Sequence, residues 1–150
     1  MTSRLRNAAL AVTALMAVPA IATAQNLVEM ASQWGLIGTW ALDCTKPPSS
    51  GNGYLTYAIR RAGQVTHERN FGDRQDVNQV EQVKLGAGGA IEVVVNFPGL
   101  GQARKLTLIM GPDGRTRAMS NSRADGSEPT IKDGKFTHNG SETPWQVRCR

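Results

Sequence analysis

The 150-residue sequence carries little that could do chemistry. It has two histidines and two cysteines, and aromatic residues make up 5% of it. His67 and His138 have no third ligand pattern around them, and His67-Glu68 are neighbours. On a strand, neighbours point to opposite faces, which excludes the helical His-Glu-x-x-His zinc arrangement. His138 sits beside the Asn139-Gly140 turn. No Gly-x-Ser-x-Gly occurs, and Gly99-Leu100-Gly101 is followed by no helix and no lysine, so neither a nucleophile elbow nor a phosphate loop is present. The cysteines form no Cys-x-x-Cys pair. The sequence predicts no catalytic residue, no metal site and no cofactor, and the chain is not read as an enzyme. Repeats, low-complexity tracts and linkers are also lacking. Beyond residue 24 there is no apolar run of about 18 residues, so no helical span is expected. The outward positions of the candidate strands are Thr, Arg, Gln, Glu and Asn, which excludes stable membrane insertion as a barrel.

What is present begins at the N-terminus. Arg4 and Arg6 precede an apolar run from Ala8 to Ala22, and Ala22-Thr23-Ala24 offers a small-x-small cleavage site ahead of Gln25. This is the layout of a bacterial-type secretory signal peptide. The sequence therefore predicts a signal peptide over 1–24, a single domain over 25–150, and a periplasmic or secreted location. The signal holds two of the 17 basic residues and none of the 12 acidic ones, so the mature chain has 15 against 12, a net +3. Its basic residues are scattered, without the clustering and aromatic platforms of a nucleic-acid surface. Nucleic acid is not an expected partner.

Turn signals recur every eight to fifteen residues, among them Gly72-Asp73, Gly86 to Gly89, Pro112-Asp113-Gly114 and Asp133-Gly134. Between them, short segments alternate apolar and polar. Leu55, Tyr57 and Ile59 share a face, as do Val65, His67, Arg69 and Phe71, then Ile91, Val93, Val95 and Phe97, then Leu106, Leu108 and Met110. Val77 to Leu85 reads as a strand that turns Glu81, Val83 and Leu85 inward. Arg115 to Arg123 is polar on both faces and reads as a weak or edge strand. Leu27, Met30, Ala31 and Trp34 recur at helical spacing ahead of the first strand. The pattern is that of an antiparallel all-β domain.

Cys44 falls on the apolar face of the first strand, and Cys149 on that of the last. In an oxidising compartment such a pair is a disulfide candidate. Bridging requires Cα atoms within about 7 Å, which makes the first and last strands neighbours. The expectation is an antiparallel up-and-down barrel of about eight strands, with a short N-terminal helix and a terminal disulfide at its seam. A sandwich whose terminal strands pair is the competing topology.

Leu36-Ile37-Gly38-Thr39-Trp40, after the helix and opening the first strand, resembles the Gly-x-Trp segment of lipocalin-like (calycin) barrels. The resemblance implies that Gly38 and Trp40 close one end of the barrel. It also implies a distal basic residue stacked on the tryptophan, a part that Arg148 or Arg123 could serve. The chain is also similar to small uncharacterised exported proteins of α-proteobacteria.

Polar residues of inward parity are the candidate site: Tyr57, His67, Arg69 and Glu81. One arrangement is an internal network in which Arg69 pairs with Glu81. The other is a ligand-binding interior in which Arg69 receives an anionic group. The sequence thus predicts an exported β-barrel that binds a small molecule in its interior. The alternative is a protein-binding module, such as an inhibitor or envelope accessory factor, acting through residues 25–34 and the Pro47-Pro48 loop.

Overall fold

The computed structural model describes residues 21–150. Residues 1–20, most of the expected signal peptide, lie outside the described residues. The described residues open with helix α1 (Ile21–Trp34). Leu27, Val28, Met30, Ala31 and Trp34 pack on the core, all of them beyond Gln25, and Ala31 has no exposed surface. The helix stops in a Schellman motif: Leu36 N–H donates to Ala31 O at 2.9 Å and Gly35 N–H to Ser32 O at 3.0 Å. Gly35 takes the left-handed position with φ +86°, which a side chain would strain.

Ten strands follow in one antiparallel sheet. They are β1 (Gly38–Ala41), β2 (Tyr54–Ile59), β3 (Val65–Asn70), β4 (Gln75–Leu85), β5 (Ile91–Phe97), β6 (Gln102–Met110), β7 (Thr116–Arg123), β8 (Ile131–Lys132), β9 (Lys135–Phe136) and β10 (Val147–Cys149). The order is β10-β1-β2-β3-β4-β5-β6-β7-β8-β9, so chain neighbours pair and the last strand returns to the first. The two ends of this order, β9 and β10, are not paired with each other. Just upstream of β10, however, Gln146 exchanges both backbone hydrogen bonds with Thr116 of β7, at 2.8 and 3.0 Å. Thr143 Oγ1 donates to Ala118 O on the same strand at 2.6 Å.

The core follows the alternation. Along β5 every second residue is buried, and Ile91, Val93, Val95 and Phe97 meet Val80, Val83, Leu106 and Leu108. Each such side chain contributes roughly 1.5–3 kcal/mol when fully buried. Trp40, Tyr57 and Leu36 complete the cluster. α1 packs against β4 and the Arg61–Gly63 turn, and the Trp34 indole Nε1 donates to Gly89 O at 2.8 Å. It thus covers the end of the sheet where the β2–β3 and β4–β5 connections lie.

Cys44 and Cys149 are bonded, with Cα atoms 5.4 Å apart, and lie 105 positions apart in sequence. β1 and β10 pair antiparallel as the bridge requires, Thr39 opposite Cys149. Four expectations are corrected. The strands number ten, because the Asp133-Gly134 turn carries a small hairpin, β8–β9. β1 ends at Ala41, so Cys44 lies in the loop beyond it. β7 is not an edge strand but runs between β6 and β8, and two of its polar side chains bond to β6: Thr116 Oγ1 donates to Ile109 O at 2.9 Å and Ser120 Oγ to Thr107 Oγ1 at 2.7 Å. Glu81 faces outward. The register slips between Val80 and Gln82, leaving Glu81 as the extra residue of a β-bulge, and the inward set on β4 becomes Asn78, Val80 and Val83.

Candidate functional site

A cavity of about 390 Å³ lies on the concave side of the sheet, within the roughly 300–1,000 Å³ typical of small-molecule sites. Its wall is mostly apolar: Leu36, Trp40, Leu55, Phe97, Leu106 and Leu108 are among the residues lining it. Ser50, Gly51, Gly53 and Phe71 line it at the end opposite α1, where the β1–β2 loop and the β3–β4 turn lie, and Phe136 and Pro144 line it as well.

The mouth loop is built rather than slack. Asn52 clamps it, accepting from Asp43 N–H at 3.0 Å and donating to Asp43 O at 2.9 Å, and the Tyr54 hydroxyl donates to Lys46 O at 2.7 Å. Ser49 and Asn52 exchange backbone bonds, and the disulfide fixes the loop at Cys44. Such a mouth is preorganised, so a ligand entering it need not order it.

Three of the four predicted polar residues, Tyr57, His67 and Arg69, meet on this wall, brought together by the β2–β3 register that sets Tyr57 opposite His67. His67 is 2% exposed. Its ring lies 4.7 Å from that of Tyr57 and 5.8 Å, edge-on, from that of Phe97. Neither His67 Nδ1 nor Nε2 has a hydrogen-bond partner among the described residues. Burial, followed by the positive charge of Arg69, lowers the imidazole to about 4, so it is neutral at ordinary pH. Burial also raises the Tyr57 phenol well above its usual range.

Arg69 pairs with Asp76, its cross-strand neighbour on β4, and not with Glu81. Nε donates to Asp76 Oδ1 at 2.9 Å, Nη2 donates to Oδ2, and the guanidinium lies 4.5 Å from the centre of the Phe97 ring. The hydrogen bonds from Arg69 lead the causes that hold Asp76 below the usual carboxylate range. Glu81 is absent from the cavity wall and lies on the outer face beside Lys84, Glu92 and Lys105.

At the covered end, Gly38 and Trp40 meet Arg148. The Arg148 guanidinium lies 5.9 Å from the Trp40 ring centre and donates through Nη2 to Ile37 O, while the Trp40 indole Nε1 donates to Leu36 O at 2.9 Å. A Cβ at residue 38 would stand 2.7 Å from Arg148 Nε, and φ there is +143°. Glycine is what lets Arg148 lie across the tryptophan. Arg123 instead pairs with Glu128 at 3.1 Å.

Sequence reasoning missed two residues near the cavity. Asn121 lines it, although by strict alternation from Ala118 it should face out; a register shift opposite Thr107 and Leu108 turns it in. Arg104, one of the scattered basic residues, is 7% exposed and holds Asn121 in place, its Nε donating to Asn121 Oδ1 at 2.6 Å. Its shared parity with Leu106 and Leu108 was the available signal.

Of residues 25–34, the segment on which the protein-binding alternative rests, Leu27, Val28, Met30, Ala31 and Trp34 pack on the core, and Trp34 is tied to Gly89. The molecule is thus an antiparallel all-β protein with a disulfide between its first and last strand regions and a cavity inside. No known protein family, curated protein or solved structure matches the chain.

Proposed function

We propose that this is an exported, lipocalin-like barrel protein that binds a small molecule in its interior. The observation that carries the reading is His67: a buried imidazole with two unpartnered nitrogens on the wall of a cavity large enough for a ligand. Buried polar atoms are ordinarily paired, and a bound molecule supplies the missing partner. Closure as a barrel is supported by the Gln146–Thr116 exchange, which links the segment leading into β10 with β7, while β10 itself pairs with β1. The contact of Arg148 with Trp40 beside Gly38 supports the calycin resemblance. Export is supported by the signal-like residues 1–24 and by a disulfide, a bond of oxidising compartments. Binding is favoured over catalysis because, among the described residues, His67 is hydrogen-bonded to no hydroxyl, thiol or carboxylate that it could activate.

Native mass spectrometry of the exported protein, purified from the periplasm of its own cells, tests the reading. We expect an added mass that leaves on gentle activation and is missing from a variant whose cavity is filled by Ala118→Leu. A clean apo mass under all conditions would favour an interior filled by its own side chains.

A further inference from the structure

The chemistry of the ligand can be read from the same wall, on the premise that the interior cavity binds one. Apart from the Tyr57 phenol, the ionisable side chains on that wall are His67 and Arg69. Arg69 alone would make the cavity an anion receptor. Its surroundings withdraw that role, because Nε and Nη2 both donate to Asp76, and Asn78 Nδ2 donates to the same carboxylate at 2.6 Å. The pair brings no net charge to the cavity. An anion entering would lose its water and meet a guanidinium already neutralised, a desolvation cost with little to offset it. Arg104, the other buried guanidinium nearby, is absent from the cavity wall, its charge held by neutral acceptors at Asn121, Glu128 O and Thr130 Oγ1 and not presented to a ligand there.

His67 offers the complementary feature. A neutral imidazole presents one N–H donor and one bare nitrogen acceptor, and here both are unpartnered between the Tyr57 and Phe97 rings. We infer that the cavity selects an uncharged molecule with an apolar body and a single polar group, such as a hydroxyl or an N–H, that hydrogen-bonds His67, and that it discriminates against anions of the same shape. The neutrality of His67 at ordinary pH agrees with this, since it adds no charge of its own to attract an anion.

Two fluorescent probes with a common ring frame test it: N-phenyl-1-naphthylamine, which is neutral and carries one N–H, and 8-anilino-1-naphthalenesulfonate, which adds a sulfonate. Each is titrated into the intact exported protein, into His67→Phe, and into the cavity-filling Ala118→Leu. The expected result is saturable binding of the neutral probe and binding of the sulfonate weaker by about tenfold or more. His67→Phe should weaken the neutral probe by about fivefold, the loss of one hydrogen bond, and Ala118→Leu should abolish its binding. Binding of the sulfonate as tight as that of the neutral probe, blocked by Ala118→Leu, would overturn the charge selectivity and leave the cavity reading standing. An unchanged affinity in His67→Phe would overturn the anchoring role of His67. Absence of saturable binding by either probe, or binding indifferent to Ala118→Leu, would overturn the interior site itself. Where Ala118→Leu does not fold by circular dichroism, Leu108→Phe replaces it.

Discussion

His67 links the stability of the protein to pH. Unfolded, its imidazole takes a proton below about 6.5; folded, it does so only near 4. Between those values unfolding takes up a proton, so stability falls as the pH drops through the window and levels off below it. The whole effect is about 3 kcal/mol. The charged groups around it are Arg69, which adds to the lowering, and Asp76 and Glu68, which oppose it. Glu68 and Asp76 are themselves held below 4.5 and 3.8, so their own contribution is lost only at lower pH. We therefore expect urea midpoints measured from pH 7 to pH 4.5 to decline in the wild type and to stay nearly flat over that range in His67→Phe. A wild-type curve as flat as that of the variant would mean that His67 accepts its proton normally in the fold.

Helix α1 shows how much one element can depend on a single face. Ala31 is fully buried against the sheet, whereas Glu29 sits on the outer face, where it accepts from Gln33 at 3.0 Å. Ala31→Glu should lower the unfolding free energy measured by urea titration by several kcal/mol, because it places an unpaired charge in the core. Glu29→Ala should change stability by less than about 0.5 kcal/mol. Equal effects would show that the helix is not seated on the sheet. The strands teach a related lesson about what a sequence reveals. β5 was legible residue by residue, since nothing interrupts Ile91, Val93, Val95 and Phe97. The same rule placed Tyr57, His67 and Arg69 on the cavity wall. It failed at Glu81 and Asn121 for one shared reason: each lies at or just past an extra residue in its strand, and one inserted residue reverses every later inside–outside assignment. No residue type near either position announces a bulge. The Arg69 partner was missed as a consequence, because Asp76 lies across the ladder at a register that only the paired strands define.

At the scale of the molecule, the bond between Cys44 and Cys149 closes a loop spanning 105 positions. In the chain-entropy description a loop of that size is worth about 4–5 kcal/mol, so a reductant should lower the melting temperature by several degrees. An unchanged melt after full reduction and alkylation would show that the β1–β10 pairing needs no covalent support. The same connectivity has a consequence in time. The meander from β1 to β7 joins strands that follow one another in sequence, whereas the β1–β10 pairing must bring together residues more than a hundred positions apart. Contacts that close long loops form late, because their entropy must be spent before they return anything. During refolding the two thiols should therefore remain open to alkylation after most of the sheet has formed, and an oxidant supplied too early would meet a chain whose ends have not yet found each other.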